Sequence, residues 1–359
     1  MFNSKLFLAT LGALLCGVVI GGVLVAYLSG SLVTSPAQSN TSISQASNEP
    51  NIPREGTRLK FGLFTTDPNP EADNTKLGHK MNIMGWFTHW SGELNNNKLQ
   101  SACNGGYVPE VTWESWGGVH GTSNYSLADI ADGKYDKLIT DQLQQVKDVC
   151  QNRVVLIRFD QEMDLPPGST SWYPWQGDTG QYVAAWRHVV KIGHHVDPSI
   201  KWIWSPNRGN ATVTPQYYPG NQWVDYVGIT LNHEHLPLEI KYQTFAQFYQ
   251  ANQQVIESFN KPIIISETTS DEGFGNKDDW VTGMFDYALH NPKITALVWF
   301  TVSPTYNFDS SPTTLKAFQQ SLNLVNAQPN APKIKRYVVR PPVAQPKLVI
   351  GKLAIKPIR

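Results

Sequence analysis

Short apolar runs alternate with longer amphipathic segments along most of this chain. The runs predict eight strands, at 59–65, 81–87, 107–113, 154–159, 201–204, 224–229, 262–266 and 294–300. Helical periodicity lies between several of them, at 135–149, 180–194, 244–259 and 277–290. Consecutive strands joined by helices form parallel sheets, and roughly 250 residues suffice for eight such units. The alternation therefore predicts an α/β fold, a (β/α)8 TIM barrel, over residues 57–326.

The two ends of the chain differ in composition from the predicted barrel. Residues 6–28 carry no charge and follow Lys5, which predicts an uncleaved transmembrane helix with the barrel outside the cytoplasm, periplasmic or at the cell surface. A cleaved signal, and hence secretion, is the alternative. Residues 29–56 are rich in Ser, Asn, Thr and Pro and predict a flexible linker. The basic, Pro-rich tail at 327–359 is interpreted as solvated, with contact to anionic lipid or polymer as the alternative.

Two strand ends carry glutamates that point to one reaction. In VVLIRFDQEMD, four apolar residues lead into Arg158 and Glu162, and in PIIISETT the apolar run ends at Glu267. Active sites of α/β barrels lie at the carboxyl ends of the strands, so we expect the two carboxyl groups to face one cleft. Such a pair suits acetal cleavage, in which one acid protonates the leaving group and the other carboxylate attacks the anomeric carbon. A lone strand-end glutamate is as often a structural ion partner, so the hypothesis depends on both.

Tryptophans and polar residues follow most of the predicted strands. Any single tryptophan is more often part of a core, but their recurrence at one end of successive strands predicts a carbohydrate cleft whose aromatic faces stack on sugar rings. The predicted substrate-binding residues are Trp86, His89, Trp90, Trp113, Glu114, Arg158, Gln161, Trp172, Trp175, Trp204, Asn207, Asn232 and Trp299.

Other functional classes find little support. No G-x-G-x-x-G, phosphate loop or G-x-S-x-G elbow is present, and we expect no cofactor. His233 and His235 lie two residues apart with no third metal ligand in view, so we expect no metal and interpret His233, Glu234 and His235 as loop residues lining the cleft. A net charge of +0 and the lack of a basic, aromatic stripe argue against nucleic acid. Cys103 and Cys150 are either a disulfide or two separate buried thiols.

Several segments together resemble glycoside hydrolase family 26. RFDQEM, SWYPWQG and YVAAWRHVV resemble the region around that family's general acid/base, and KWIWSPN, VDYVGI, KPIIISET and ALVWF resemble its later strands in the same order. The likeness covers roughly 59–323. It implies a (β/α)8 barrel and retaining hydrolysis of β-mannan, mixed-linked β-glucan or xylan, with Glu162 as acid/base and Glu267 as nucleophile.

The chain departs from the family pattern at three places. Gln161 stands where the family usually has His, and Asp164 where it often has Asn. Thr-Leu-Asn at 230–232 replaces a stretch whose Tyr donates to the nucleophile. Two hypotheses are therefore kept: a membrane-tethered retaining hydrolase of β-linked polysaccharide, and a non-catalytic glycan-binding barrel that assists exopolysaccharide processing or export. The retained glutamates favour the first and the missing Tyr the second. Either would act on polysaccharide, with synthesis or export machinery as a further partner.

Overall fold

A computed structural model describes residues 59–94, 97–118, 125–165, 173–234 and 242–327. The predicted anchor at 6–28, the linker at 29–56 and the tail from 328 onward lie outside these residues. In the part that is described, no helix is both long and apolar enough to cross a membrane.

Eight parallel strands close into a barrel in which each pairs with the next and β8 pairs with β1. The strands are β1 (Lys60–Phe64), β2 (Ile83–His89), β3 (Val108–Glu114), β4 (Val155–Phe159), β5 (Ile200–Trp204), β6 (Tyr226–His233), β7 (Ile263–Ser270) and β8 (Ile294–Phe300). All eight predicted strands are present. β6 and β7 run four residues beyond their predicted ends, because polar residues at the barrel mouth continue the strand after the apolar run stops.

Helices lie between the strands and form the outer layer. They are α1 (Glu71–Leu77), α2 (Asn97–Gly105), α3 (Leu127–Ala131), α4 (Asp136–Cys150), α5 (Thr179–Val196), α6 (Phe245–Glu257), α7 (Lys277–His290) and α8 (Pro312–Asn326). The four predicted helices correspond to α4 to α7. Helices α1 to α3 are short, with few apolar positions to reveal a period. Helix α8 was not predicted, although its start has a sequence signal. Ser311 caps the helix by accepting from the Thr314 amide, and Pro312 occupies its first turn.

Side-chain alternation along the strands divides the core into two layers. Inward residues such as Phe64, Ile83 and Ile203 form a small cluster inside the barrel. Outward residues such as Phe61, Ile157 and Ile265 belong to the larger cluster between barrel and helices. Bulky apolar rings on the outer faces of the strands pack in the larger cluster. The strand tryptophans belong to this cluster.

Cys103 and Cys150 form a disulfide. The bond joins α2 to the end of α4, 47 residues later in the chain. Of the two alternatives left open by the sequence, the structure has the disulfide.

Candidate active site

Glu162 is positioned by an unusual turn after β4. Asp160 and Glu162 have positive φ angles of 42° and 56°, which non-glycine residues seldom adopt. Hydrogen bonds hold this backbone: the Glu162 amide donates to the carbonyl of Ser205 (2.8 Å), and Ser115 donates to the Asp160 carboxylate through its amide (2.8 Å) and its hydroxyl (2.7 Å). Strained backbone maintained by several contacts is typical of functional sites.

Glu267 reaches the barrel interior through an irregularity in β7. One extra residue interrupts the register with both neighbouring strands, between Ile265 and Glu267 on the β6 side and between Ile265 and Thr268 on the β8 side. A bulge of this kind re-aims the side chains that follow it. Glu267 accepts hydrogen bonds from Arg158 Nη1 at 2.9 Å and from the Asn232 amide at 3.0 Å.

Arg158 brings the two glutamates together. Its side chain is fully buried, and its Nη2 lies 3.9 Å from Glu162 Oε1 while its Nη1 holds Glu267. The remaining guanidinium donors go to the hydroxyls of Ser205 (Nε, 3.0 Å) and Thr230 (Nη2, 2.6 Å). A planar fork with five donors fits such a set of acceptors, and lysine would not. Both carboxylates therefore lie against one buried cation.

Burial shifts the titration of three glutamates at this site. It raises the pKa of Glu162 to about 7, with the negative charge of Glu267 acting in the same direction and Arg158 opposing both. Burial also raises the pKa of Glu114 to about 6, against hydrogen bonds from Gln161 and Trp116. Inside the barrel, burial raises the pKa of Glu110 to about 8, with Arg158 opposing. Glu162 thus retains a proton up to near-neutral pH while lying beside Glu267, which is the pairing that acid-assisted acetal cleavage needs.

Gln161, where the family usually has His, holds a neighbouring carboxylate. Its amide donates to Glu114 Oε1 at 2.8 Å, and the Trp116 indole donates to Glu114 Oε2 at 3.1 Å. The backbone carbonyl of Gln161 accepts from the Trp175 indole at 2.7 Å. Trp175 stacks on Tyr173 with ring centroids 4.5 Å apart. These contacts form a polar and aromatic wall beside Glu162.

The tryptophans expected to stack on sugar are buried, and that expectation is corrected. Strand alternation turns four of them outward into the helix layer, and the loop rings Trp90 and Trp175 are equally enclosed. The exposed fraction is 0 or 1% for Trp86, Trp90, Trp113, Trp175, Trp204 and Trp299. No face of these rings is free for a ligand. Trp172 lies outside the described residues.

The remaining predicted residues have separate roles. His89 is half-buried at the mouth end of β2 and its Nδ1 lies 2.6 Å from the Ser91 hydroxyl. Asn207 donates its backbone amide to Asp164 at 2.8 Å, and its side chain lies beside Glu162. Asn232 donates its side-chain amide to Glu267.

His233 packs among aromatic rings on the outer side of β6. His233 is turned outward and stacks on Phe274 (4.0 Å) and Trp280 (5.6 Å). This contradicts its interpretation as a residue lining the cleft, because its position on β6 has the parity of the outer face. His235 lies outside the described residues, and nowhere within them do three His, Cys, Asp or Glu side chains gather for a metal.

Sequence reasoning missed several inward residues. Ser205 and Thr230 hold Arg158, and Glu110 lies fully buried beneath them on β3. The signal that identifies them is parity: Glu110 lies four residues before Glu114, and Thr230 two before Asn232, on the same face of their strands.

Comparison with known proteins decides the family. Residues 71–314 match the family model described as Glycosyl hydrolase family 26. This chain belongs to glycosyl hydrolase family 26. The resemblance inferred from the sequence is confirmed, and with it the enzyme class, glycoside hydrolase.

One relative is similar over most of the chain. Endoglucanase H of Acetivibrio thermocellus is 29% identical over 316 residues, which cover 81% of this chain and 33% of the relative. The chain thus spans about a third of that protein's length.

Solved structures share the fold. An endo-β-1,4-mannanase catalytic domain from Bacillus sp. JAMB-750 superposes with a TM-score of 0.55 at 16% identity, covering 74% of this chain and 86% of that one. A Cellulomonas fimi endo-β-1,4-mannanase gives 0.53 at 17%, covering 76% and 71%. At such identities the likeness concerns the barrel fold alone.

Proposed function

We propose that this protein is a retaining glycoside hydrolase of β-linked polysaccharide, of the β-mannan or β-glucan type, with Glu162 as general acid/base and Glu267 as nucleophile. The observation that carries the proposal is the buried Arg158 guanidinium, which contacts both carboxylates at once. Both carboxylates thus lie around one guanidinium in the same cleft, and the retaining course of the reaction is what the family resemblance implies.

The first step, formation of the glycosyl ester, uses the different surroundings of Glu267 and Glu162. Glu267, hydrogen-bonded by Arg158 and Asn232, is the anion that attacks the anomeric carbon and forms a glycosyl ester. Glu162, whose pKa burial raises to about 7, gives its proton to the departing glycosidic oxygen as that bond breaks. Arg158 remains paired throughout, since Glu162 becomes the carboxylate as Glu267 becomes the neutral ester.

The second step reverses these roles. Glu162, now ionised, takes a proton from water as the water oxygen attacks the anomeric carbon, and Glu267 leaves as the carboxylate. The sugar keeps its original anomeric configuration. Both active groups return to their starting protonation states, so the cycle consumes only water.

Asn232 supports the catalytic hypothesis over the binding one. The family's phenol donor to the nucleophile is missing, but the Asn232 amide donates to Glu267 at 3.0 Å. The nucleophile therefore keeps two donors, and a barrel that only bound glycans would not need them. The substrate class rests on the family and on the similar proteins, which include an endoglucanase and endo-β-1,4-mannanases.

We further propose that the barrel works outside the cytoplasm, held by residues 6–28, where it meets polysaccharide near its synthesis or export machinery. The Cys103–Cys150 disulfide supports this location because such bonds persist in oxidising compartments. Fractionating cells that express the full chain tests it. We expect the protein in salt-washed membranes, and we expect protease to digest the barrel once any outer envelope has been opened and the cytoplasmic membrane is left intact. Recovery in the soluble fraction, starting beyond residue 28, would replace the anchor with a cleaved signal.

The enzymatic proposal is tested by incubating the full chain with β-mannan, mixed-linked β-glucan and xylan and following the anomeric protons by NMR. We expect new reducing ends that appear first in the β configuration. Glu267→Ala should abolish them, while Asp141→Ala, which removes an exposed carboxylate on α4, should not. Wild-type protein that binds a glycan without cleaving any would favour the binding barrel, and α-anomers released first would exclude retention.

A further inference from the structure

The mouth of the barrel has an aromatic side that the catalytic mechanism does not use. Strands β3 to β7 contribute the polar and charged residues of the site. On the opposite side, β8, β1 and β2 point Phe300, Phe64 and Phe87 inward. Among the described residues, Phe87 is the one aromatic ring with an exposed fraction as high as 36%.

Phe87 is backed by a rigid stack. Its centroid lies 4.5 Å from that of Phe64, which is 1% exposed, and 6.3 Å from that of Phe300, which it meets at 90°. Beneath them, Gly85 leaves the room that the Phe64 ring occupies, because a Cβ there would lie 2.8 Å from it. The outer face of Phe87 is therefore held in one orientation without being covered.

Strand register puts this face at the level of the catalytic residues. Phe87 pairs with Thr112 on β3, and Thr112 pairs with Arg158 on β4. Two strand spacings separate Phe87 from Arg158, roughly 10 Å along the barrel wall. A polysaccharide chain lying across the mouth and reaching Glu162 and Glu267 thus passes over or beside Phe87.

The chemistry of the patch selects its occupant. A pyranose ring in a β-linked glycan presents axial C–H groups on its faces and hydroxyls at its edge, so it is apolar towards a stacking ring and polar around it. A folded domain gains little by leaving an ordered phenylalanine exposed beside a polar cleft, and binding sites combine aromatic surfaces with a few polar groups. The six buried tryptophans leave this role to other rings.

We propose that Phe87, supported by Phe64 and Phe300, is the stacking platform for one pyranose unit of the glycan, on the β8–β1–β2 side of the catalytic pair. The inference rests on the proposed function for the identity of the chain that binds. It makes Phe87 a specificity-determining residue: the stacked unit must be unbranched on the face that meets the ring, because a substituent there would separate the two surfaces.

The test compares variants of the full chain in the Glu267→Ala background, so that the glycan is not consumed. Affinity electrophoresis with β-mannan and with mixed-linked β-glucan measures binding. Phe87→Leu keeps an apolar side chain and loses the flat ring, so we expect about tenfold weaker binding of the preferred glycan. Phe87→Trp should restore it. Leu324→Ala, which removes an exposed apolar side chain on α8, serves as the matched control and should bind as the parent.

The outcomes separate this inference from the hydrolase proposal. Equal binding by Phe87→Leu and its parent would overturn the platform while leaving catalysis intact. If both Phe87→Leu and Phe87→Trp lose binding, the proposal is also overturned. An aromatic ring at this position would then not be enough for binding, and the loss would reflect a structural defect. If Phe87→Leu fails to fold, Phe87→Met supplies the same comparison. In the protein that keeps Glu267, Phe87→Leu should raise KM for the polysaccharide more than it lowers kcat.

Discussion

Arg158 and Glu267 form a buried ion pair, with Nη1 of the arginine 2.9 Å from Oε2 of the glutamate and both side chains almost fully enclosed. The same guanidinium lies 3.9 Å from Glu162. Because a buried cation needs an anion at every stage, the pair links the charge of the nucleophile to that of the acid.

Removing the cation should damage both catalysis and stability. Arg158→Met leaves Glu267 buried without its counter-charge, so we expect kcat/KM to fall at least ~100-fold and the free energy of unfolding to drop by about 3–5 kcal/mol. Kinetics and urea unfolding measure the two effects. Lys137→Met breaks an ion pair with Asp141 that is largely exposed and should change both by little. Equal effects in the two variants would contradict the role of the buried pair.

The alkaline limb of the pH profile should report Glu162. Its pKa is raised to about 7, so the protonated acid is lost as the pH rises through that value, and kcat/KM on polysaccharide should fall tenfold per pH unit above it. The limb should be absent when Glu162→Ala acts on an aryl glycoside with a good leaving group. A limb that survives in that variant would assign it to another group.

The two glutamates should respond differently to substitution. Glu162→Ala should still attack activated aryl glycosides and accumulate a glycosyl ester on Glu267, because a good leaving group needs little protonation. Added azide should speed its breakdown and yield the β-glycosyl azide. Glu267→Ala should form no ester. Mass spectrometry of the intact protein detects the ester, and finding it in Glu267→Ala instead would reverse the assignment.

Glu110 should make the protein less stable as the pH rises. Its pKa is raised to about 8 in the folded protein, so the unfolded chain releases a proton that the folded one keeps, and stability falls between about pH 5 and 8 by up to ~1.4 kcal/mol per pH unit. Glu110→Gln keeps the shape without the titration. We therefore expect its stability relative to wild type to be higher at pH 8 than at pH 5 in urea unfolding. A difference that does not change with pH would show that Glu110 is not the group concerned.

Reducing the disulfide should lower the free energy of unfolding and leave kcat unchanged. The bond closes a loop of 47 residues, for which chain entropy predicts about 4 kcal/mol. Replacing Cys103 and Cys150 with Ala should lower the unfolding free energy by that order, while kcat of the folded protein stays the same. A wild-type protein whose unfolding is insensitive to reductant would argue against the bond.

Local pattern was enough to predict much of the fold. β4 and β7 are recognisable because runs of β-branched and aliphatic residues have few alternatives to a buried parallel strand. Helices α4 to α7 are recognisable because each is long enough to show its period. Short helices such as α1 carry too few apolar positions, so only the packed structure reveals them.

The candidate site divides in the same way. The sequence was enough to predict the barrel and the family and to single out the two candidate glutamates, because strand-end residues follow from the hydrophobic runs that precede them. The direction in which each side chain faces depends on the packed barrel. Trp86 and Trp299 also lie near the ends of apolar runs, yet the alternation of side chains along β2 and β8 turns them into the helix layer. One extra residue in β7 aims Glu267 inward. The face on which a side chain lies depends on the pairing register of strands that are distant in the chain. A shift of one residue in that register exchanges the inner and outer faces.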